Sequence, residues 1–324
     1  MANPSRRSIL LGLGAMAATT ATSPMAFARP RPLFFERIGK PIGLQLYMLG
    51  NDIGRDLDAT FAAVARIGYR EVELPNLMGK PAAEVAAAAT RAGIGIRSLH
   101  VPLVRSASGA GPAGVTFGSS AQQLADTLGA LGARWAVAPI MLLPANFRPA
   151  AGESFGRTLA RTAGEAGADL WKESAALLNE KGQALRPLGM NVGYHNHNIE
   201  FAPIGKTSGW DILWRETQPG LVHFEIDLGW IATAGLDPVR FLDRTRGRVK
   251  LLHVKDVAAD NTRNFSIDMK PAEVGSGVLD WRRIMAAAHR AGVEHYLVEQ
   301  EPPFAIPRIE AAAKSFDFLA RLRA

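Results

Sequence analysis

Cysteine is absent from the 324 residues. This excludes a disulfide framework and any thiolate metal site, so a bound metal must be held by nitrogen and oxygen. Long apolar runs are missing too: the stretch from Ile9 to about Ala18 is broken by the Thr/Ser cluster from Thr19 to Ser23, which is too short for a membrane anchor. Basic residues outnumber acidic ones, 37 to 30, for a formal charge of +7. They are scattered rather than gathered, and no aromatic-basic module accompanies them, so nothing points to nucleic acid.

No Asp or Glu occurs in the first 28 positions, where Ser5-Arg6-Arg7-Ser8-Ile9-Leu10 precedes the apolar run and Ala26-Phe27-Ala28 follows it. Paired arginines, a short apolar segment and a small-residue site form a twin-arginine export signal. The expectation is a cleavable signal over residues 1–28, a lead over 29–40 and one domain over 41–324, working in the periplasm or outside the cell. About 300 residues then remain, the size of one eight-fold barrel.

After the Pro-rich lead Arg29-Pro30-Arg31-Pro32, short apolar runs alternate with Ala/Leu-rich amphipathic stretches, as repeated βα units do. The strands expected are Ile42–Met48, Glu71–Leu74, Gly95–Val101, Trp135–Pro139, Met190–His195, Leu221–Asp227, Val249–Lys255 and His295–Gln300. Long helical stretches such as Asp56–Ile67, Thr158–Leu185 and Trp281–Ala291 separate them. Eight strands so spaced predict an α/β fold, a single (β/α)8 TIM barrel. Two connections exceed the minimum: Arg105–Ser119, expected as a loop over the mouth, and Val257–Leu279. The latter leads into Gly275–Trp281, expected as a turn with a helix cap at Asp280 rather than a phosphate cradle.

Four of the strands end in metal-ligand chemistry: GYHNHNIEF, FEIDLGW, LLHVKD and YLVEQE. A period of two puts His195 and His197 in line on the fifth, Glu225 and Asp227 on the sixth, His253 and Lys255 on the seventh, and Glu299 and Glu301 on the eighth. Charged groups facing a lumen are costly unless paired or metal-bound. His195, Asp227, His253 and Glu299 are therefore the expected metal ligands, with His195 and His197 alternatives on the fifth strand. His223, His289 and His295 are expected to be structural or solvated.

These residues resemble the xylose-isomerase-like barrels, a family of sugar-phosphate isomerases and epimerases, inosose dehydratases and relatives of AP endonuclease. The resemblance is carried by Gly43–Tyr47, Tyr194–Phe201, Asp227-Leu228-Gly229-Trp230, His253-Val254-Lys255-Asp256, Gly275–Trp281 and Val298-Glu299. It implies one divalent ion on Glu, Asp, His and Glu from strands five to eight; here the fifth-strand place falls on His195. It also implies an isomerase or epimerase acting through a metal-stabilised enediolate. Epimerisation by two opposed glutamates loses one partner with His195 in that place, and one-sided isomerisation or elimination gains ground.

Manganese suits such an N/O set, as do cobalt, zinc and iron(II), with magnesium a poorer match. Glu299, His197 and Glu200 are the candidate acids and bases, and Lys255 a candidate oxyanion partner. Gln45, Tyr47, Glu73, His100 and Glu301 are candidate substrate contacts. Export argues for an unphosphorylated sugar or keto-sugar, with a dehydratase or keto-glycoside lyase as the alternative; the oligomeric state stays open. A multi-metal phosphodiesterase would need further ligands, and the first four strands offer only His100 as a histidine. A sugar-binding barrel without catalysis has no reason to keep Asp227, His253 and Glu299.

Overall fold

The eight expected strands form and close on one another. In this computed structural model, residues 32–106, 114–144, 147–149 and 151–324 are described, and 32–324 make one compact unit. The barrel strands are β1 (Gly43–Gln45), β2 (Glu71–Leu74), β3 (Gly95–His100), β4 (Trp135–Ala138), β5 (Asn191–His195), β6 (Val222–Asp227), β7 (Val249–Val254) and β8 (His295–Val298). All neighbours pair in parallel, and β1 closes the ring against β8. The export signal lies outside the described residues, as does the middle of Arg105–Ser119.

The helices are α1 (Phe34–Ile38), α2 (Leu57–Ile67), α3 (Ala82–Arg91), α4 (Ala121–Leu131), α5 (Phe155–Leu185), α6 (Gly209–Glu216), α7 (Leu228–Thr233), α8 (Pro238–Arg244), α9 (Trp281–Ala291) and α10 (Arg308–Ala320). Side chains cap most of their starts. Asp56 accepts from Ala59 N–H, Ser120 and Gln123 form a capping box, and Asp280 accepts from Arg283 N–H, as the sequence predicts. Helix α1 lies in the stretch read as an irregular lead: its Phe34 N–H bonds Leu322 O, and both of its phenylalanines pack on Tyr296.

Two elements differ from expectation for local reasons. Strand β1 stops at Gln45 because that side chain accepts the Tyr47 N–H and turns the chain into a 3-10 segment over Leu46–Leu49. Helix α5 begins at Phe155, capped by Ser154, and is broken at Gly167, where φ is 61° and ψ −143°. No side chain but hydrogen takes that conformation at low cost. Two-residue ribbons, Pro203–Ile204 with Thr207–Ser208 and Asp256–Val257 with Pro271–Ala272, decorate the loops after β5 and β7.

The lumen is layered. Trp135, Val137, Leu251 and Leu297 make a buried apolar plug. Two residues further along β7 and β8, the same faces present His253 and Glu299, at the C-terminal ends where barrel enzymes work. Apolar floor and charged mouth are thus one alternation read twice.

Candidate functional site

Side chains from seven strand ends converge above the plug. The register sets Gln45 beside Glu73, His195 beside Glu225 and Asp227 beside His253. His253 and Lys255 are fully buried, as are Glu73, Glu225 and Asp227.

The cluster has an inner and an outer layer, and two histidine rings stand between them. His253 turns Nε2 inward, 2.8 Å from Glu73 Oε1 and 3.0 Å from Glu225 Oε1. Its Nδ1 faces outward, 2.7 Å from Glu299 Oε2 and 3.7 Å from Asp227 Oδ2. His195 does the same, with Nδ1 2.9 Å from Glu225 Oε1 and Nε2 3.9 Å from Asp227 Oδ2. The four ligands expected from the sequence are brought together, their outer atoms gathered about Asp227 Oδ2. Asp227, His253 and Glu299 offer donor atoms within 4.8 Å of one another.

Lys255 completes the outer layer. Its ammonium lies 2.7 Å from Asp227 Oδ2, 2.9 Å from Glu299 Oε2 and 3.0 Å from Glu301 Oε1. Burial would lower its pKa, but Asp227, Glu299 and Glu301 hold it well above the usual lysine range. Gly229 makes room for this chain, since a Cβ there would come 2.8 Å from Lys255 Cγ. Lys255 and its chain neighbour Asp256 are not an ion pair at the surface. Both are buried and point apart. Asp256 instead accepts N–H bonds from Val257, Gly275, Gly277, Leu279 and the Trp281 indole. Gly275–Trp281 is therefore a loop wrapped on one carboxylate, and a Cβ on Gly277 would overlap it.

Charge varies sharply within the cluster. Burial, then the neighbouring His253, lowers the pKa of His195 far below the ordinary value. Burial and Lys255 bring His197 down to about 3. Both rings are neutral at neutral pH, with a lone pair to offer. His253 goes the other way: Glu225 and Glu299 overcome burial and raise it. Burial also opposes the fall at Glu299, but Lys255 and His253 hold its carboxyl below the usual range. Glu301 is raised by burial and remains at the rim.

The other expected residues divide. His100 Nε2 meets Glu73 and Glu225 at 2.9 and 3.1 Å, and Gln45 Nε2 donates to Glu73 Oε1 at 2.7 Å. They build the inner layer rather than an open wall. Tyr47 is 41 % exposed at the rim, its phenol raised to about 12 by burial and then by Glu301. His197 stands edge-on to His195, ring centroids 4.9 Å apart, with Nδ1 buried and unpartnered. Glu200 stands apart from the cluster: its oxygens are taken by Tyr194 O–H and His197 N–H, so it fastens the turn after β5.

Burial raises Glu200 to about 7. A carboxyl raised from 4.5 stabilises the fold below pH 4.5 and loses that contribution as pH climbs through 7. Urea unfolding of Glu200→Gln is expected to lack a decline on the order of 3 kcal/mol that the parent shows between pH 4.5 and pH 8. Equal slopes in the two proteins would contradict this.

Glu225 is the residue the sequence undervalued. It shares a strand face with Asp227, so period two could have found it; its position one step below the strand end kept it out of the ligand set. Its Oε1 meets His100, His195 and His253 at once, while Oε2 is buried without a partner.

The donors fit a divalent ion. Imidazole and carboxylate are the right types, nearly all are buried, and a second carboxylate backs each ring as outer partners of metal-bound histidines do.

Comparison with known proteins agrees with this architecture. Over 164 residues the chain is 29 % identical to an inosose dehydratase of Lacticaseibacillus casei, a match covering 47 % of this chain and 54 % of the dehydratase. The chain thus spans about half the length of that relative. A sugar phosphate isomerase/epimerase from Parabacteroides distasonis superposes with a TM-score of 0.66 at 24 % identity, covering 94 % of this chain and 98 % of the other. An L-ribulose 3-epimerase gives 0.56 at 14 % identity, over 86 % and 93 %. At these identities the two structures show the fold alone. A family model matches residues 61–322, and the chain belongs to the xylose isomerase-like TIM barrel family.

Proposed function

We propose that this protein is a divalent-metal-dependent enzyme that removes the proton beside the carbonyl of an unphosphorylated sugar or keto-sugar and isomerises or epimerises it. The observation that carries this reading is the meeting of Asp227, His253 Nδ1 and Glu299 at the mouth, with His195 Nε2 3.9 Å from Asp227 Oδ2 and Lys255 against two of the three. When bound there, a divalent ion supplies Lewis acidity to a substrate carbonyl.

The chain's own groups do the rest. Glu299, kept ionised by Lys255 and His253, is an acceptor for the substrate proton. Lys255 Nζ holds a proton where an oxygen gains negative charge. The neutral ring of His197, beside His195 and Trp230, is a further acceptor at the mouth. Tyr47 and Glu301 at the rim suit sugar hydroxyls. Ion pairs to the mouth's carboxylates come from histidines and from Lys255, which three of them already occupy. A phosphate would find no uncommitted cation among them, which supports a neutral substrate, as does the expected export to the periplasm.

Elimination is the second reading. Strand five presents His195 where a second opposed glutamate would be needed for symmetrical epimerisation, and the similarity to an inosose dehydratase points the same way. Keto-sugars and inososes incubated with manganese-loaded protein in D2O would separate the outcomes. Deuterium at the carbon beside the carbonyl, with product of unchanged mass otherwise, supports isomerisation. Loss of water or of a glycosidic leaving group supports the lyase, and neither reaction on any of these substrates rejects both.

A further inference from the structure

The inner layer has a property that the proposed reaction does not use. Glu73 and Glu225 are wholly buried at the bottom of the mouth, and each has one oxygen, Oε2, without a hydrogen-bond partner. In the outer layer Lys255 compensates Asp227, Glu299 and Glu301. No lysine or arginine among the described residues pairs with the inner two; their ionic partners are His100 and His253, joined at Glu225 by His195. Two buried carboxylates without a permanent cation depend on the charge of those imidazoles, and a divalent ion among the ring nitrogens can supply the same charge.

We propose that this layer is a separate divalent-cation site, inward of the one above, with His100 Nε2, His195 Nδ1, His253 Nε2 and Glu225 as ligands and Glu73 beside them. The four donors lie within 4.8 Å of one another. Glu225 Oε1 is 3.1, 2.9 and 3.0 Å from the three ring nitrogens. Neighbouring ligands of a tetrahedral zinc stand roughly 3.3–3.5 Å apart, so shifts of a few tenths of an ångström admit the ion. Three imidazoles and a carboxylate favour zinc or cobalt over magnesium or calcium. The side chain of His100 keeps 12 % of its exposure and marks the way in.

Protons balance in either state of the outer position. An ion in the inner position displaces to solvent the protons that His100 Nε2 and His253 Nε2 direct at Glu73 and Glu225, and with the outer position empty His195 and His253 keep one proton each on the outward nitrogen. With both filled, His195 and His253 would release that proton to solvent as well, leaving both ring nitrogens as donors.

The test is zinc in chelator-stripped protein. Anomalous diffraction at the zinc edge from zinc-loaded crystals of the unmodified protein is expected to show a peak bonded to His100 and Glu225. In solution, His100→Ala is expected to lower bound zinc by about one per chain, while Glu299→Gln keeps the inner ion. Density only between Asp227 and Glu299, with the zinc content of His100→Ala unchanged, overturns the inner site and leaves the proposed reaction standing. Zinc in neither position overturns it as well. An inner peak in a protein that neither exchanges nor eliminates on any keto-sugar keeps the site and removes the reaction.

Discussion

Lys255→Met is expected to destabilise the metal-free protein by about 3–5 kcal/mol, the usual cost of removing one partner from a buried ionic group. The substitution keeps the length and apolar stem of the chain, so the packing beside Gly229 survives. What disappears is the ammonium that three carboxylates share, two of them essentially buried. Without it the pKa values of Glu299 and Glu301 rise, and the variant recovers stability as pH falls and they protonate. Manganese or zinc should restore much of the loss at neutral pH by supplying charge to the same oxygens. Denaturant unfolding at pH 5 and pH 8, with and without the metal, checks all three statements. A loss under 1 kcal/mol at pH 8 would mean that water already screens these carboxylates.

Asp256→Ala is expected to have the larger structural effect. Five N–H donors converge on that carboxylate, four from the backbone and one from Trp281. Alanine leaves the Val257 N–H and the Trp281 indole without a partner in a buried place, at about 1–3 kcal/mol each, and frees three donors of the partly exposed loop. A total of about 3–6 kcal/mol places this change among the severe ones. The loop over Gly275–Trp281 should then open, exposing backbone amides that hydrogen exchange would report. Because Lys255 is the preceding residue, metal retention should fall as well. Slow exchange at Gly275, Gly277 and Leu279 in a well-folded variant would show that the loop does not depend on the carboxylate.

Most of this site could be read from the sequence because it lies on strands. Period two and parallel strand ends place His195, Asp227, His253 and Glu299 together without any knowledge of loops, and the strand Glu71–Leu74 has the bounds expected of it. The errors occur where side chains bond their own backbone. Gln45 turns the chain out of β1, Asp256 gathers its loop, and Glu200 holds the turn after β5; none of these has a periodic signature. Helices α6 and α7, eight and six residues long, are too short for a 3.6-residue repeat to stand out in the sequence. The stacking of the mouth into two layers was out of reach, since it depends on which way each imidazole ring turns.

Asp227 is the last residue of β6 and the cap of α7, its Oδ1 accepting the Trp230 N–H while Oδ2 faces Lys255. Strand and helix therefore meet with no connecting residue between them. An insertion at that junction would detach the carboxylate from the helix that aims it, whereas the long exits of β3 and β7 accommodate added length. Altered specificity in this chain is thus to be sought, by evolution or by an engineer, at the rim segments around Arg105 and Ala258, while the sixth corner of the barrel stays fixed.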